Sequence, residues 1–276
     1  MKRNNKEIKT HYLDYQKPRK KKFLGQHFLR KQSVVDNMIS KVNVTPQTSV
    51  MEVGCGDGFL TRSILEQTKC KKLLVYEIDK EWVDFLGRSI KDDRLTIKNE
   101  NFLDVALQEL EVRKPWVFLA NLPYCVTFPI LFVLQKNKHL FEEGVFMIQE
   151  EVAQKLVATR GKKYSAISLL LRYHFDFELL EKVEPAAFNP PPKIFSRLVY
   201  FKPKNSKQKI DKEEKFWKFV RMCFKFPRQM LRNNLKLTNY DISKLTDDLL
   251  RLRAQQLSFN EFLKIWDSIN DESLDN

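Results

Sequence analysis

Apolar and polar residues follow two different spacings along the first two thirds of the chain, and each spacing predicts a different kind of element. Short, mostly apolar runs predict buried strands at 48–53, 72–78, 95–98, 116–120 and 144–149. Apolar residues at three- and four-residue spacing predict helices at 33–42, 59–66, 81–90, 150–159 and 165–173. Because strands alternate with helices, we predict an α/β doubly wound domain whose sheet is parallel with right-handed crossovers.

The pattern changes in the last third of the chain. Two more strands are predicted at 175–182 and 197–201, as a hairpin pair at the end of the sheet, followed by a polar linker at 204–209. Helical spacing then recurs at 216–224, 229–235, 243–250 and 258–268. We therefore predict three parts: a basic mobile arm at 1–22, the α/β domain at 23–201 and a small all-helical domain at 202–276.

The composition is that of a globular protein. The chain has 276 residues, 43% of them hydrophobic, which is enough for one large packed domain and a small one. The longest mainly apolar stretch, 117–134, is interrupted by two prolines and two polar residues, so we predict no membrane span. Four scattered cysteines lack the Cys-x-x-Cys spacing of zinc sites, which indicates a reducing compartment, the cytoplasm, and no metal.

Positive charge is concentrated in two segments. The net charge is +14, and residues 1–22 hold nine Lys or Arg against two acidic residues, while residues 202–236 hold twelve against three. Two basic segments that flank a less charged middle favour a nucleic acid as partner, because lysine and arginine neutralise phosphates. There are two alternatives to a nucleic-acid partner: the charge serves only solubility, or the partner is an anionic membrane surface.

The motif Asn121-Leu122-Pro123-Tyr124 directly follows the strand predicted at 116–120. An asparagine held in a turn past a buried strand can accept hydrogen bonds from a flat amine, and a tyrosine three residues later can stack on the ring that carries this amine. The motif resembles the target-base motif of methyltransferases that act on exocyclic nitrogens of nucleobases. The alternative is an ordinary turn that ends a strand, since Asn and Pro are both common there.

A second motif, Gly54-Cys55-Gly56-Asp57-Gly58, lies between a predicted strand and a predicted helix, where glycines let the backbone pass close to a ligand. A dinucleotide fingerprint would need its third glycine at Phe59. The observed spacing, with Glu52 two residues ahead, resembles instead the S-adenosylmethionine loop. Glu77 ends the next strand, where a carboxylate can accept from ribose hydroxyls, and Asp104 follows the third strand, where it can accept from an adenine amine.

Five blocks occur in one order, at 23–29, 52–58, 77–79, 121–124 and 188–193. In this order they resemble the ribosomal RNA small-subunit adenine dimethyltransferase family, the KsgA type. The segment 226–235 also resembles the C-terminal domain of that family, so the resemblance covers nearly the whole chain. It implies a Rossmann-like class I S-adenosylmethionine-dependent methyltransferase domain with a small all-helical C-terminal domain that binds RNA.

The resemblance also implies a role for each motif residue. The cofactor S-adenosylmethionine would contact Gln26, His27, Leu29, Gly54, Gly56, Glu77, Ile78, Asp104 and Asn121. The target adenine would be held by Asn121, Leu122, Pro123, Tyr124 and Phe188, with Phe188 as the aromatic wall opposite Tyr124. RNA phosphates would be bound by Lys20, Lys21, Lys22, Lys225, Arg228 and Arg232. His27 and Cys125 depart from the family pattern, since many members have Asn at both positions.

The implied function is transfer of methyl groups from S-adenosylmethionine to the exocyclic amines of adenosines in a loop of small-subunit (16S) rRNA during ribosome biogenesis. The protein would act as a monomer on an assembling small ribosomal subunit, without a membrane or a metal. The rivals are a large-subunit rRNA adenine methyltransferase that confers macrolide resistance, a non-catalytic assembly or transcription factor, and a DNA adenine methyltransferase. The sequence leaves open which adenosines are modified and whether one or two methyl groups are added.

Overall fold

The computed structural model describes Pro18, residues 27–107, Leu110, and residues 115–204 and 208–269. Gln26 and the arm lysines Lys20, Lys21 and Lys22 therefore lie outside the described residues, and their predicted roles stay predictions.

The described part of the chain contains both strands and helices as far as residue 203, and helices without strands after it. The strands are β1 (Phe28–Leu29), β2 (Ser49–Val53), β3 (Lys72–Tyr76), β4 (Leu95–Lys98), β5 (Trp116–Asn121), β6 (Phe141–Gln149), β7 (Phe175–Val183), β8 (Phe188–Asn189) and β9 (Ser196–Pro203). The helices are α1 (Gln32–Ser40), α2 (Phe59–Gln67), α3 (Lys80–Ser89), α4 (Thr127–Lys136), α5 (Glu150–Val157), α6 (Ala166–His174), α7 (Glu213–Cys223), α8 (Leu231–Leu235), α9 (Asp247–Arg251) and α10 (Phe259–Ile269).

Seven strands form one sheet in the order β4-β3-β2-β5-β6-β9-β7, and β1 pairs separately with β8. Strands β2 to β6 pair in parallel, whereas β9 is antiparallel to both β6 and β7. The predicted hairpin pairing of β7 with β9 is confirmed, and the sheet is mixed. A parallel arrangement would need a crossover helix, but residues 184–195 contain only a short 3₁₀ turn and β8.

Apolar side chains cover both faces of the sheet, as the apolar strand runs predicted. Helices α1, α2 and α3 bury Val34, Ile64 and Trp82 against one face. Helices α4, α5 and α6 bury Ile130, Leu156 and others against the opposite face. The central strands are therefore shielded from water, and polar side chains concentrate at the strand ends.

Helix α4 is an element that the sequence analysis did not predict. Its apolar residues lie on most of its circumference, so they give no clear amphipathic spacing, and the polar interruptions before it look like a loop. Pro129 lies in the first turn of α4, where a missing backbone N–H leaves no hydrogen bond unmade. The helix thus begins immediately after the 121–124 motif and fixes the direction in which the chain leaves β5.

The C-terminal helices form a separate core. Phe216, Trp217, Phe262 and Trp266 pack together, and Leu169 of α6 joins them. The helix predicted at 243–250 is instead a 3₁₀ turn at Ile242–Lys244 followed by α9, which Thr246 caps by accepting from the Leu249 N–H. The predicted boundary between residues 201 and 202 falls inside β9; the division into domains otherwise stays a prediction.

Candidate functional site

The order of the strands reverses between β2 and β5, because β3 and β4 lie on one side of β2 and β5 lies on the other. Ligands of open α/β sheets bind in the crevice at the carboxyl ends of the strands at such a reversal. A cavity of about 330 Å³ opens there. Its lining consists of His27, Phe28, Val53, Gly54, Gly56, Tyr76, Glu77, Ile78, residues 100–103, residues 121–126 and Ile130.

The glycine turn after β2 forms one side of this cavity. Gly54, Gly56 and Gly58 have φ angles of 76°, 52° and 80°, in the left-handed region that favours glycine. A Cβ atom on Gly56 would lie 2.4 Å from a ring atom of Phe28, and one on Gly54 would lie 3.7 Å from Cδ of Pro123. The turn is therefore packed between two other segments of the cavity wall, one of which is the 121–124 motif.

Glu77 supplies a fixed carboxylate at the end of β3. The side chain is buried, and it accepts hydrogen bonds from the backbone N–H groups of Gly56 (3.0 Å) and Asp79 (2.9 Å). Burial raises the pKa of Glu77, while these two N–H groups act in the opposite direction. The same carboxylate thus ties the glycine turn to the end of β3 and borders the cavity.

Glu52 lies behind the glycine turn and does not line the cavity. It is 1% exposed and accepts a hydrogen bond of 2.8 Å from Thr61 Oγ1 of α2. Burial raises the pKa of Glu52 to about 8, so the side chain is mostly protonated at neutral pH. Its contact joins β2 to α2 on either side of the turn and holds the turn's two ends together.

The 121–124 motif forms the opposite wall. Asn121 Nδ2 donates to the His27 carbonyl at 3.1 Å, and the Leu122 N–H donates to the Met147 carbonyl of β6 at 3.1 Å. With the amide nitrogen held in this way, Asn121 Oδ1 is the atom that can accept from an amine. The Pro123 carbonyl already accepts from the Val126 N–H at 3.2 Å and from Oγ1 of Thr127, the first residue of α4, at 3.4 Å, so the backbone of the corner is braced by α4 as well.

Tyr124 presents its ring to the cavity. Its hydroxyl shares a hydrogen bond of 2.6 Å with Ser196 Oγ, and its ring stacks on the His27 imidazole with centroids 5.8 Å apart. His27 Nδ1 in turn donates to the Pro190 carbonyl at 2.8 Å. Burial raises the pKa of Tyr124, so the hydroxyl stays protonated at neutral pH and the ring is a neutral, fixed aromatic face.

Two residues with predicted ligand contacts lie in the core instead. Leu29 and Phe188 face each other in the β1–β8 ladder, both are 4% exposed, and neither lines the cavity. Both side chains belong to the apolar core cluster that also contains Val34, Trp82 and Val183. In this structure the ring next to Tyr124 is therefore that of His27, not that of Phe188.

Asp104 also lies outside the cavity, whereas Asn101 lines it. Asp104 is exposed and accepts from Asn101 Nδ2 at 2.8 Å, and Asn101 Oδ1 accepts from the Leu103 N–H at 3.2 Å. Asn101 begins the 3₁₀ turn Phe102–Asp104, which carries Asp104 to the outer side. Asn101 was not among the predicted site residues, although an Asn three residues after the end of a strand is a recognisable turn signal.

Of the basic residues predicted to bind RNA, the three that the structure describes lie between α7 and α8 or at the start of α8. Lys225 and Arg228 are exposed, and Lys225 Nζ lies 5.7 Å from the centre of the Phe226 ring. Arg232 forms an ion pair of 2.5 Å with Asp247 of α9, so its charge is partly compensated.

Within the described residues, no group of three or more His, Cys, Asp or Glu side chains could hold a metal ion. None of the described helices is long and apolar enough to cross a membrane.

Comparison with known proteins agrees with this arrangement. A family profile described as ribosomal RNA adenine dimethylase matches residues 17–271. The chain is 36% identical to ribosomal RNA small subunit methyltransferase A of Mesomycoplasma hyopneumoniae, over 91% of this chain and 97% of that protein. It is 34% identical to the protein of the same name from Mycoplasma mobile, over 91% of this chain and 98% of that protein.

Solved structures match the fold. A dimethyladenosine transferase from Plasmodium falciparum superposes with a TM-score of 0.74 at 24% identity, over 88% of this chain and 98% of that chain. The 23S rRNA methyltransferase ErmE superposes with a TM-score of 0.66 at 20% identity, over 88% of this chain and 100% of that chain. The prediction of a Rossmann-like methyltransferase fold with a helical C-terminal region is thereby confirmed.

Proposed function

The chain belongs to the ribosomal RNA adenine dimethylase family, and we propose that it transfers methyl groups from S-adenosylmethionine to adenosine amines of small-subunit rRNA. The observation that carries this proposal is that Gly54 and Pro123 line the same cavity, because the glycine turn and the Asn121 corner are then two walls of one space. A cofactor held by the first wall and a base held by the second would meet inside it.

The cavity fits S-adenosylmethionine better than a phosphate-bearing nucleotide. Among the described residues, no Lys or Arg lines it, whereas phosphate sites usually carry such a charge. The glycine turn leaves room for close backbone approach, and Glu77 offers a carboxylate to ribose hydroxyls. Ile78, 56% exposed, would cover one face of the cofactor's adenine, and Asn101 would contact its polar edge. When bound, this cofactor supplies a methyl group on a positively charged sulfur.

Asn121 would prepare the target amine. The lone pair of an adenine amine is delocalised into the ring, so the nitrogen is a poor nucleophile. Asn121 Oδ1 would accept one N–H and a backbone carbonyl the other, which localises the lone pair on nitrogen. The Pro123 carbonyl already accepts from Val126 N–H and Thr127 Oγ1, so we assign the second acceptor to Leu122. Orientation and electrostatic stabilisation would then supply most of the acceleration.

Tyr124 would hold the base by stacking. A base that enters such a pocket must leave its neighbours, which costs least in a looped RNA whose bases are already unstacked. Stacking on an aromatic side chain is worth about 1–3 kcal/mol per base, and the Ser196 hydrogen bond keeps the Tyr124 ring in place. The role that the sequence analysis gave to Phe188 would require a rearrangement of β8.

The remaining surface would bind the RNA backbone. The net charge of +14 favours a polyanion, and Lys225 and Arg228 are exposed on the C-terminal helical region. Such contacts position an RNA without choosing its sequence, while the pocket selects the base. We propose that the protein works as a monomer in the cytoplasm on assembling small subunits.

The proposal is tested with purified protein, labelled S-adenosylmethionine, and two acceptors: small subunits from cells that lack this methylation, and free large-subunit rRNA. We expect label only in the small subunits, and mass spectrometry of digested nucleosides should find N6,N6-dimethyladenosine. Label in the large-subunit RNA alone would favour the macrolide-resistance reaction. Absence of S-adenosylmethionine binding in a calorimetric titration would favour a non-catalytic factor.

A further inference from the structure

Two large apolar side chains lie exposed beside the cavity. Ile194 and Phe195 are 43% and 45% exposed and come directly before β9. The Phe195 carbonyl accepts from the Glu150 N–H at 3.0 Å, so the backbone is anchored while both side chains contact solvent. Because β9 runs antiparallel to β6, its first residue lies at the same edge of the sheet as the carboxyl ends of the parallel strands, where the cavity opens.

The same segment is joined to the target-base wall. Ser196, the residue after Phe195, is fully buried and shares the 2.6 Å hydrogen bond with the Tyr124 hydroxyl. Phe195, whose ring is exposed, is therefore the chain neighbour of the residue that holds the Tyr124 ring at the cavity.

The charge around Phe195 is positive. Lys182 Nζ lies 4.1 Å from the centre of the Phe195 ring, and Lys193 is exposed two residues earlier in the chain. The nearby Glu150 is compensated by Arg197, which donates to both carboxylate oxygens at 2.6 and 3.0 Å and lowers its pKa. An exposed aromatic ring flanked by lysines suits a ligand that joins a flat ring to a negatively charged group, and a nucleotide joins a base to a phosphate in this way.

We propose that Phe195 is a stacking platform for the nucleotide adjacent to the target adenosine, and that Lys182 and Lys193 contact the phosphates of that nucleotide. The proposal rests on the proposed function, since it takes the RNA as the molecule that fills the cavity. Two exposed side chains form too small an apolar area for the core of a stable protein interface. The platform binds any base, because every base has a π-face.

The test compares full-length variants for binding of a fluorescein-labelled single-stranded RNA nonamer, measured by anisotropy at fixed salt. We expect Phe195→Ala to bind the nonamer about 5- to 50-fold more weakly than the unmodified protein. Phe195→Trp should keep the affinity, while Phe195→Leu should resemble Phe195→Ala, because a leucine is apolar but not flat. Ile194→Ala is the matched control and should keep the affinity, since Ile194 is an apolar residue of nearly equal exposure, 43%, but has no flat ring.

Two further measurements separate the platform from the cavity. Adenosine monophosphate has no neighbouring nucleotide. Its affinity, measured by competition with the labelled nonamer, should therefore be the same for the unmodified protein and for Phe195→Ala. The affinity for S-adenosylmethionine should also be equal. The proposal is overturned if Phe195→Ala binds the nonamer with unchanged affinity or if Phe195→Leu keeps full affinity. It is also overturned if the unmodified protein self-associates and Phe195→Ala abolishes this self-association. Failure of the proposed function has a different signature: the unmodified protein would transfer no methyl group to small subunits, whatever its RNA affinity.

Discussion

The hydroxyl oxygen of Tyr124 and Ser196 Oγ lie 2.6 Å apart, although 72 positions separate the two residues in the chain. The bond joins the corner after β5 to the first residue of β9, so the strand inserted antiparallel into the sheet also positions the aromatic wall of the cavity. Ser196 is fully buried, and a buried hydroxyl that loses its partner carries a free-energy cost.

This relationship predicts that Ser196→Ala lowers kcat/KM for the RNA about three- to tenfold, mainly through KM, because the Tyr124 ring loses its anchor. The affinity for S-adenosylmethionine should not change. Tyr124→Phe keeps the ring and removes the same bond, so it should show a similar loss, and the double variant should lose little more. Fully additive losses in steady-state kinetics would show that the two residues act separately.

Asn121→Ala is expected to retain cofactor binding and to reduce methyl transfer by at least about 100-fold, because no side-chain oxygen is left to accept from the target amine. Calorimetry would measure the first property and single-turnover transfer the second. Asn121→Asp is the informative control: it keeps acceptor oxygens but cannot donate to the His27 carbonyl. Near-normal turnover in Asn121→Ala would rule out the assigned role.

The sequence pattern predicts Asp104 at the adenine amine of the cofactor, whereas we assign this position to Asn101. Asn101→Ala should weaken S-adenosylmethionine binding about tenfold, because Asn101 lines the cavity and its side chain shapes the turn that follows β4. Asp104→Ala should have a smaller effect, since Asp104 acts only through its hydrogen bond to Asn101. Equal dissociation constants for Asn101→Ala and the unmodified protein, or a larger loss in Asp104→Ala, would contradict the assignment.

Glu52 predicts a specific pH dependence of stability. Its pKa rises from 4.5 to about 8 on folding, so between these values the folded chain binds more protons than the unfolded chain. The stabilisation is complete below pH 4.5 and is lost as the pH rises through 8, at up to roughly 1 kcal/mol per pH unit. Glu52→Gln keeps an acceptor for Thr61 without a titrating group. The melting temperature of Glu52→Gln minus that of the unmodified protein should therefore increase from pH 5 to pH 8.5. If this difference is constant, Glu52 does not titrate in this range.

Local patterns in the sequence determined most of the elements. Apolar runs and helical spacing are properties of neighbouring residues, so strands such as β2 and β5 and helices such as α2 and α10 were predicted within a few residues of their observed bounds. The motifs at 54–58 and 121–124 were placed correctly at strand ends for the same reason. Helix α4 was missed because its nearly continuous apolar character gives no periodic signal.

The tertiary structure decided which side chains line the cavity. Phe188 and Asp104 have residue types suited to a ligand, yet the β1–β8 pairing turns Phe188 into the core and a 3₁₀ turn carries Asp104 outward. Conversely, Asn101 lines the cavity although it was not predicted, and His27, which was predicted, is held there by a hydrogen bond to the Pro190 carbonyl, 163 positions away in the chain. A sequence fixes which chemical groups are available and where strands end, but the side on which a side chain emerges depends on strand pairing and turn geometry, which involve residues far away in the chain.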